Sequence, residues 1–142
     1  MSQYFNVGDE TLWNPSNGAA RLFLRHVAVY EVELGTPSGV SEMINDECQI
    51  DTGAYERFVN ALVEWHHGTR HRIIHTLARG FVVTALALAN RAGAEVRFPD
   101  AGADGGPEGR ADVQVPAPAH RHSEWEEHLR EQAAAVERAM PR

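Results

Sequence analysis

The chain has 142 residues, a net charge of −7 and an apolar share of 43%, which fits one small domain with enough material for a core. So acidic a chain lacks the phosphate-neutralising surface that general nucleic-acid binding requires. It contains no lysine, which excludes Schiff-base chemistry, a lysine general base and a P-loop.

The charge is unevenly spread. Residues 1–60 hold nine acids and three arginines, residues 61–98 two and five, and residues 99–142 nine and five. A mildly basic middle therefore sits between acidic ends. Cys48 is the only cysteine, so no disulfide forms within the chain, as suits a reducing compartment. The first residues have neither a basic n-region nor an apolar h-region, so no signal peptide is expected. The longest apolar stretch, 81–89, is far short of the ~20 residues of a membrane span. The expectation is a cytoplasmic protein with no membrane or nucleic-acid partner.

In chain order, residues 3–7 and 11–13 are β-prone, and Gly8-Asp9 supplies turn chemistry between them, which predicts a small hairpin. Asn14-Pro15-Ser16-Asn17-Gly18 is a concentrated helix start. Asn14 or Ser16 can cap exposed N–H groups, and proline fits the first turn. Apolar residues recur at Ala20, Phe23, Leu24, Val27, Tyr30 and Leu34, which predicts a helix over 16–34. Gly35 stops it as a left-handed residue, with Pro37 behind. Residues 35–46 read as a loop and 48–50 as a short strand. Asp51 or Thr52 then caps a second helix, with Tyr55, Phe58, Val59, Leu62 and His66 along its stripe. Gly68-Thr69 leaves two readings open: the end of that helix and the cap of the next, or a kink in one long helix. The third helical segment runs to about Arg91. From Phe81 onward it is apolar on nearly every side, so it is expected to be central, with 77–88 dry. Gly93 closes it, and 95–98 reads as a final short strand.

After residue 98 the composition shifts. Residues 99–122 are rich in Ala, Gly, Pro and Asp and have little to bury, which predicts a flexible linker. Ser123 and Glu126 make a capping box before a helix over 124–140. Its stripe is Trp125, Leu129, Ala133, Val136 and Met140, and a Glu126–Arg130 pair adds ~0.3 kcal/mol. Such a helix is marginal alone in water, so it is expected to dock on its own core or on a second chain. The organisation is then a globular domain over 1–98, a linker over 99–122 and a C-terminal helix over 123–142.

The most conspicuous chemical feature is the run Trp65-His66-His67-Gly68-Thr69-Arg70-His71-Arg72-Ile73-Ile74-His75. His71 and His75 are four apart and share a helix face. If the helix continues through Gly68, His67 joins them. Such spacing suits a divalent metal, with Asp46, Glu47 or Cys48 as a further ligand. A variant has His71 or His75 as a general acid–base, with Glu47 or Asp51 as partner carboxylate. The plainer reading is a polar helix face, and the nearby Arg70, Arg72 and Arg79 oppose a dication.

The helix start at Trp13, Asn14, Ser16 and Asn17 is a second candidate, because exposed N–H groups attract an anion. The plainer reading is ordinary capping. Cys48 could act as a nucleophile beside a histidine, but two neighbouring acids would blunt it, and a buried structural cysteine is the simpler account. Tyr55, Met43 and Trp65 read as core or edge residues and His26 as a boundary residue. His120 and His122, in the linker, receive no role. Ser16 and Ser41 have no GxSxG context.

The stretches Thr11-Leu12-Trp13-Asn14-Pro15-Ser16-Asn17-Gly18-Ala19-Ala20-Arg21-Leu22-Phe23, Glu33-Leu34-Gly35-Thr36-Pro37-Ser38-Gly39 and Glu47-Cys48-Gln49-Ile50-Asp51 resemble an uncharacterised family of short actinobacterial proteins. The resemblance covers residues 3–98 and excludes the tail. It implies a domain boundary and a GC-rich origin, and it implies no activity, cofactor or catalytic residue.

The expected fold is α+β and helix-dominated: a small N-terminal β-hairpin with three core helices, plus a separate C-terminal amphipathic helix. The expected function is a small interaction or accessory module of the regulatory, immunity or pathway-partner kind. It would contact a protein partner, or a second copy as a homodimer, through the C-terminal helix. The alternative is a ligand- or metal-binding protein or enzyme. Its site would combine the 13–17 helix start, the acidic 46–51 loop and His71 with His75.

Overall fold

The computed structural model describes residues 2–99 and 121–142. Aromatic and β-branched residues favour the extended backbone of Tyr4–Val7 (β1) and Glu10–Trp13 (β2). Gly8, at φ 57°, turns the chain between them. The two strands pair antiparallel, and Glu47–Gln49 (β3) adds parallel to the other side of β1, giving the order β2-β1-β3. The predicted hairpin and the predicted strand at Cys48 are thus one sheet. Gly39 fits where no other residue would. Its φ is 73°, and an added Cβ would lie 2.7 Å from the Ala54 Cβ and 2.8 Å from the Asp51 carbonyl oxygen.

Helix α1 (Asn17–Leu34) starts at the Ser16 cap, and Gly35 at φ 62° ends it. It buries Ala20, Phe23, Val27 and Tyr30. Helix α2 (Thr52–Gly68) starts at Asp51 and ends with Thr69 as its C-cap. Helix α3 (Arg72–Arg91) starts afresh with His71 as N-cap. Gly68-Thr69 therefore separates two helices rather than kinking one. Helix α4 covers Arg121–Ala139. It begins before the predicted cap at Ser123, which lies inside the helix. Residues 100–120, most of the predicted linker, lie outside the described residues.

Helix α3 is the centre of the molecule. Ala78, Phe81, Val82, Val83, Ala85, Leu86, Ala87, Leu88 and Ala89 are buried on it, with α2 against one side and α4 against another. Phe81 stacks on Tyr30 at 4.5 Å between ring centroids, and Phe23 sets its edge to Phe5 and Trp13. The buried Tyr55 hydroxyl donates to the Ala85 carbonyl at 2.9 Å, a bond that sews α2 to α3. The apolar stripe of α4 turns inward, with Leu129, Ala133 and Met140 buried. By length and composition α3 is also apolar enough to cross a membrane, and half of that window is buried within the fold.

Two expectations need correction. The dry part of α3 does not extend to its N-terminal turns: Ile73 is 52% exposed and Leu77 75%. Residues 95–98 form no strand. Their backbone is held by side chains of α2: Glu56 accepts from the Glu95 N–H, and Asn60 bonds both the Glu95 carbonyl and the Arg97 N–H. Those bonds satisfy the backbone groups a sheet would have used.

Arg91, at the end of α3, ties three elements. Its guanidinium donates to the Leu12 carbonyl of β2 at 2.6 Å, to the Met140 carbonyl at 2.7 Å and to the Glu137 carbonyl. The last two carbonyls lie at the end of α4, where the helix leaves acceptors short of partners. Replacing Arg91 by Met is expected to destabilise the fold by roughly 2–3 kcal/mol, because several charge-assisted bonds go at once. Urea unfolding measures it, and a change under half a kilocalorie would contradict that account.

Candidate functional site

Three of the candidate residues are helix starts. Ser16 Oγ accepts from the Ala19 N–H at 3.4 Å, Asp51 Oδ1 from the Ala54 N–H at 2.8 Å, and His71 Nδ1 from the Ile74 N–H at 3.4 Å. Each side chain uses for capping an atom that a chemical role would need. Asn17 is the exposed first residue of α1, and Trp13 is buried on β2, stacked on Phe5 at 5.1 Å. The Asn14 N–H donates to the Pro141 carbonyl at 2.8 Å, and its Oδ1 is buried with no hydrogen-bond partner among the described residues. Glu47 is exposed at the head of β3.

The composite site is not assembled. Asp51 caps the start of α2 and His71 follows its end, and the 17 helical residues between them span about 25 Å. The metal set fails for a related reason. His67 lies on α2 and His71 and His75 belong to the α3 start, so the three share no helix face. Among the described residues no group of three or more His, Cys, Asp or Glu side chains is placed to hold a metal ion.

The histidine the fold singles out is His66. It is fully buried, and its ring stacks on His75 at 3.7 Å. Trp125 Nε1 donates to His66 Nδ1 at 3.2 Å, and His66 Nε2 lies 3.1 Å from the His75 carbonyl. An indole nitrogen only donates and a carbonyl only accepts, so the ring is the neutral tautomer with its proton on Nε2. Burial, with His75, Arg79 and His67 nearby, pushes the His66 pKa down to about 4. Burial also lowers that of His75. This cluster joins α2, α3 and α4, and it works as a packing contact. Its sequence signal is the place of His66 four residues after Leu62 on the α2 stripe.

Cys48 is fully buried, and its thiol donates to the Ser41 carbonyl at 3.1 Å. Burial pushes its pKa up, against smaller lowering by the Ser41 hydrogen bonds. The thiol stays protonated and enclosed, as a structural cysteine does.

A groove of about 540 Å³ opens between α1 and α3, with the end of α4 at one side. Phe23, Phe81, Trp13 and Met140 line its depth, and Leu22, His26, Leu77 and Gly80 its mouth. Its polar side chains are turned onto their own helices: His26 Nδ1 to the Leu22 carbonyl at 3.0 Å, and Thr84 Oγ1 to the Gly80 carbonyl at 2.8 Å. The lining is mostly apolar, and the exposed His26 ring stacks on Phe81 at 6.0 Å between centroids.

A family model matches residues 1–142. The chain belongs to a family of unknown function, DUF6086. No curated protein and no solved structure matches it. The DUF6086 match runs through the C-terminal helix, which the resemblance to residues 3–98 had left out.

In this DUF6086 chain the groove is the feature that sequence reasoning missed. Its signal lay in Leu22, an apolar residue on the outer side of α1, and in Leu77, which follows the histidine run. Both are more than half exposed, at 57% and 75%.

The buried His66 makes stability depend on pH. An unfolded histidine titrates near 6.5, above the folded value, so the unfolded chain takes up the proton first. The contribution is complete above about pH 6.5 and is lost as pH falls toward about 4, by roughly 3 kcal/mol at the low end. Urea unfolding across that range should show wild type losing more stability than His66→Gln, whose neutral amide can still accept and donate. Parallel pH profiles would refute it.

Proposed function

We propose that this chain is a small cytoplasmic interaction module that holds a partner protein in the groove between α1 and α3. The observation that carries this reading is the groove itself, an apolar cleft lined by aromatic rings, with Leu22 and Leu77 exposed at its mouth. Large exposed apolar side chains gathered at one cleft favour a protein contact over solvent. We assign the partner to this groove rather than to α4 alone, because Leu129 and Ala133 of its stripe are buried and only its end, at Val136, Ala139 and Met140, reaches the groove. The lone buried thiol fits a reducing compartment, and the arginine-only cations fit an actinobacterial source.

A site for an enzyme or small polar ligand has less support. The polar side chains of the groove are bonded to their own backbone, and the caps at Ser16, Asp51 and His71 are engaged.

Leu22→Asp and Leu77→Asp test the proposal. Both side chains are exposed, so thermal unfolding should shift little. Wild-type protein used as bait in lysate of its own host should retain a partner. Once purified, that partner should bind each variant at least tenfold more weakly. Unchanged affinity with folded variants would remove the groove from consideration.

A further inference from the structure

We infer that the first turns of α4 are a proton-operated latch: neutral His66 holds them on α2 and α3 through Trp125, and a proton on His66 releases them. The inference is independent of what the groove binds.

The first observation is how that end of α4 is held. Of residues 121–128 only Trp125 is apolar. Its indole packs against the end of α2, with ring centroids 5.9 Å from His66 and 5.0 Å from His67. Phe98 sets its edge to the same indole at 5.8 Å. The rest of α4 is fixed by other means. Leu129, Ala133 and Met140 are buried, and Arg91 bonds the Glu137 and Met140 carbonyls. The helix can therefore part from the core at its start while its end stays docked.

The second observation is the bond itself. Trp125 Nε1 donates to His66 Nδ1 at 3.2 Å, and His66 Nε2, 3.1 Å from the His75 carbonyl, carries the one proton of the neutral ring. A second proton can enter only at Nδ1. The imidazolium would then aim an N–H at the indole N–H, with no acceptor between them.

The third observation is charge. His66 is fully buried with its ring 3.7 Å from that of His75. Among the described residues its charged or titratable neighbours are His75 and Arg79 on α3 and His67 on α2. None is an acid, and Arg79 is a fixed cation. From α4 come the Trp125 indole and Gln132, whose Oε1 accepts from Arg79 Nε at 3.2 Å. Glu124, Glu127 and His128 on the same turns are exposed, and Glu126 is paired with Arg130. A positive imidazole is accommodated only once Trp125 leaves and water reaches the ring. Burial and these neighbours hold the docked His66 pKa down to about 4, whereas an exposed imidazole titrates near 6.5. Release therefore takes up a proton. Between those limits each unit fall in pH raises the released-to-docked ratio about tenfold, and above about 6.5 the ratio no longer changes. Release bares the indole and the α2–α3 surface beneath it, which the docked form covers.

Hydrogen exchange of the full chain, corrected for the intrinsic rate at each pH, tests this. From pH 7 to pH 5 the opening of residues 121–128 should rise at least tenfold, while Phe81–Ala89 on α3 stays protected. His66→Gln keeps an acceptor and a donor but cannot titrate, so its opening should be flat over the same range. Trp125→Phe keeps a ring and drops the N–H, so residues 121–128 should open several-fold more already at pH 7. That variant decides the matter if His66→Gln does not fold. No added opening of residues 121–128 in wild type at pH 5 overturns the inference. So does loss of protection there in step with Phe81–Ala89, which is whole-molecule unfolding. An unchanged pH response in His66→Gln, or a Trp125→Phe protein as closed as wild type, overturns it equally.

Discussion

Helix α3 sets the terms for everything around it. From Phe81 to Ala89 nearly every residue is apolar and buried, and each large side chain removed from water contributes about 1.5–3 kcal/mol. Such a helix must be covered on most of its circumference. Helix α2 takes one side and α4 another, and the Phe81 ring reaches α1 through Tyr30. The sheet closes the far end, where Arg91 bonds the Leu12 carbonyl. The C-terminal helix is accordingly part of the enclosure. Its leucine and alanine stripe completes the cover of α3, and its last carbonyls are capped by Arg91.

The cover is incomplete in one direction, and that shapes the functional reading. Alpha helices on a common neighbour diverge on the side away from it, and α1 and α3 do so on the side away from α2. The first turns of α3 then keep Ile73 and Leu77 in solvent. A mid-helix glycine, Gly80, faces the opening, and a Cβ added there would meet no atom of the described residues within 4 Å. Leu22 and Leu77 stand exposed at the groove's mouth, one on each wall, and α3 carries no acid.

The polar residues divide differently. Ser16, Asp51 and His71 all satisfy orphan N–H groups at helix starts, where the chain must supply acceptors whether or not it has a ligand. His66 satisfies a donor on one side and an acceptor on the other inside the core. Residues that look chemical in a sequence are here engaged in holding helices together.

The sequence by itself determined the elements: the hairpin at Gly8, the capped starts at Ser16 and Asp51, the stop at Gly35, the burial of the Phe81 half of α3 and the amphipathic stripe of α4. Those features rest on local backbone chemistry and periodicity, which neighbouring residues fix. Tertiary structure decided the rest. Whether Gly68 breaks a helix depended on His71 finding an N–H to cap. Residues 95–98 depended on Glu56 and Asn60, which lie more than thirty residues away in the chain. Leu77 sits in the same apolar pattern as Phe81, yet only Phe81 has aromatic neighbours on α1. Periodicity says which side of a helix is apolar, and only packing says whether another element arrives to cover it.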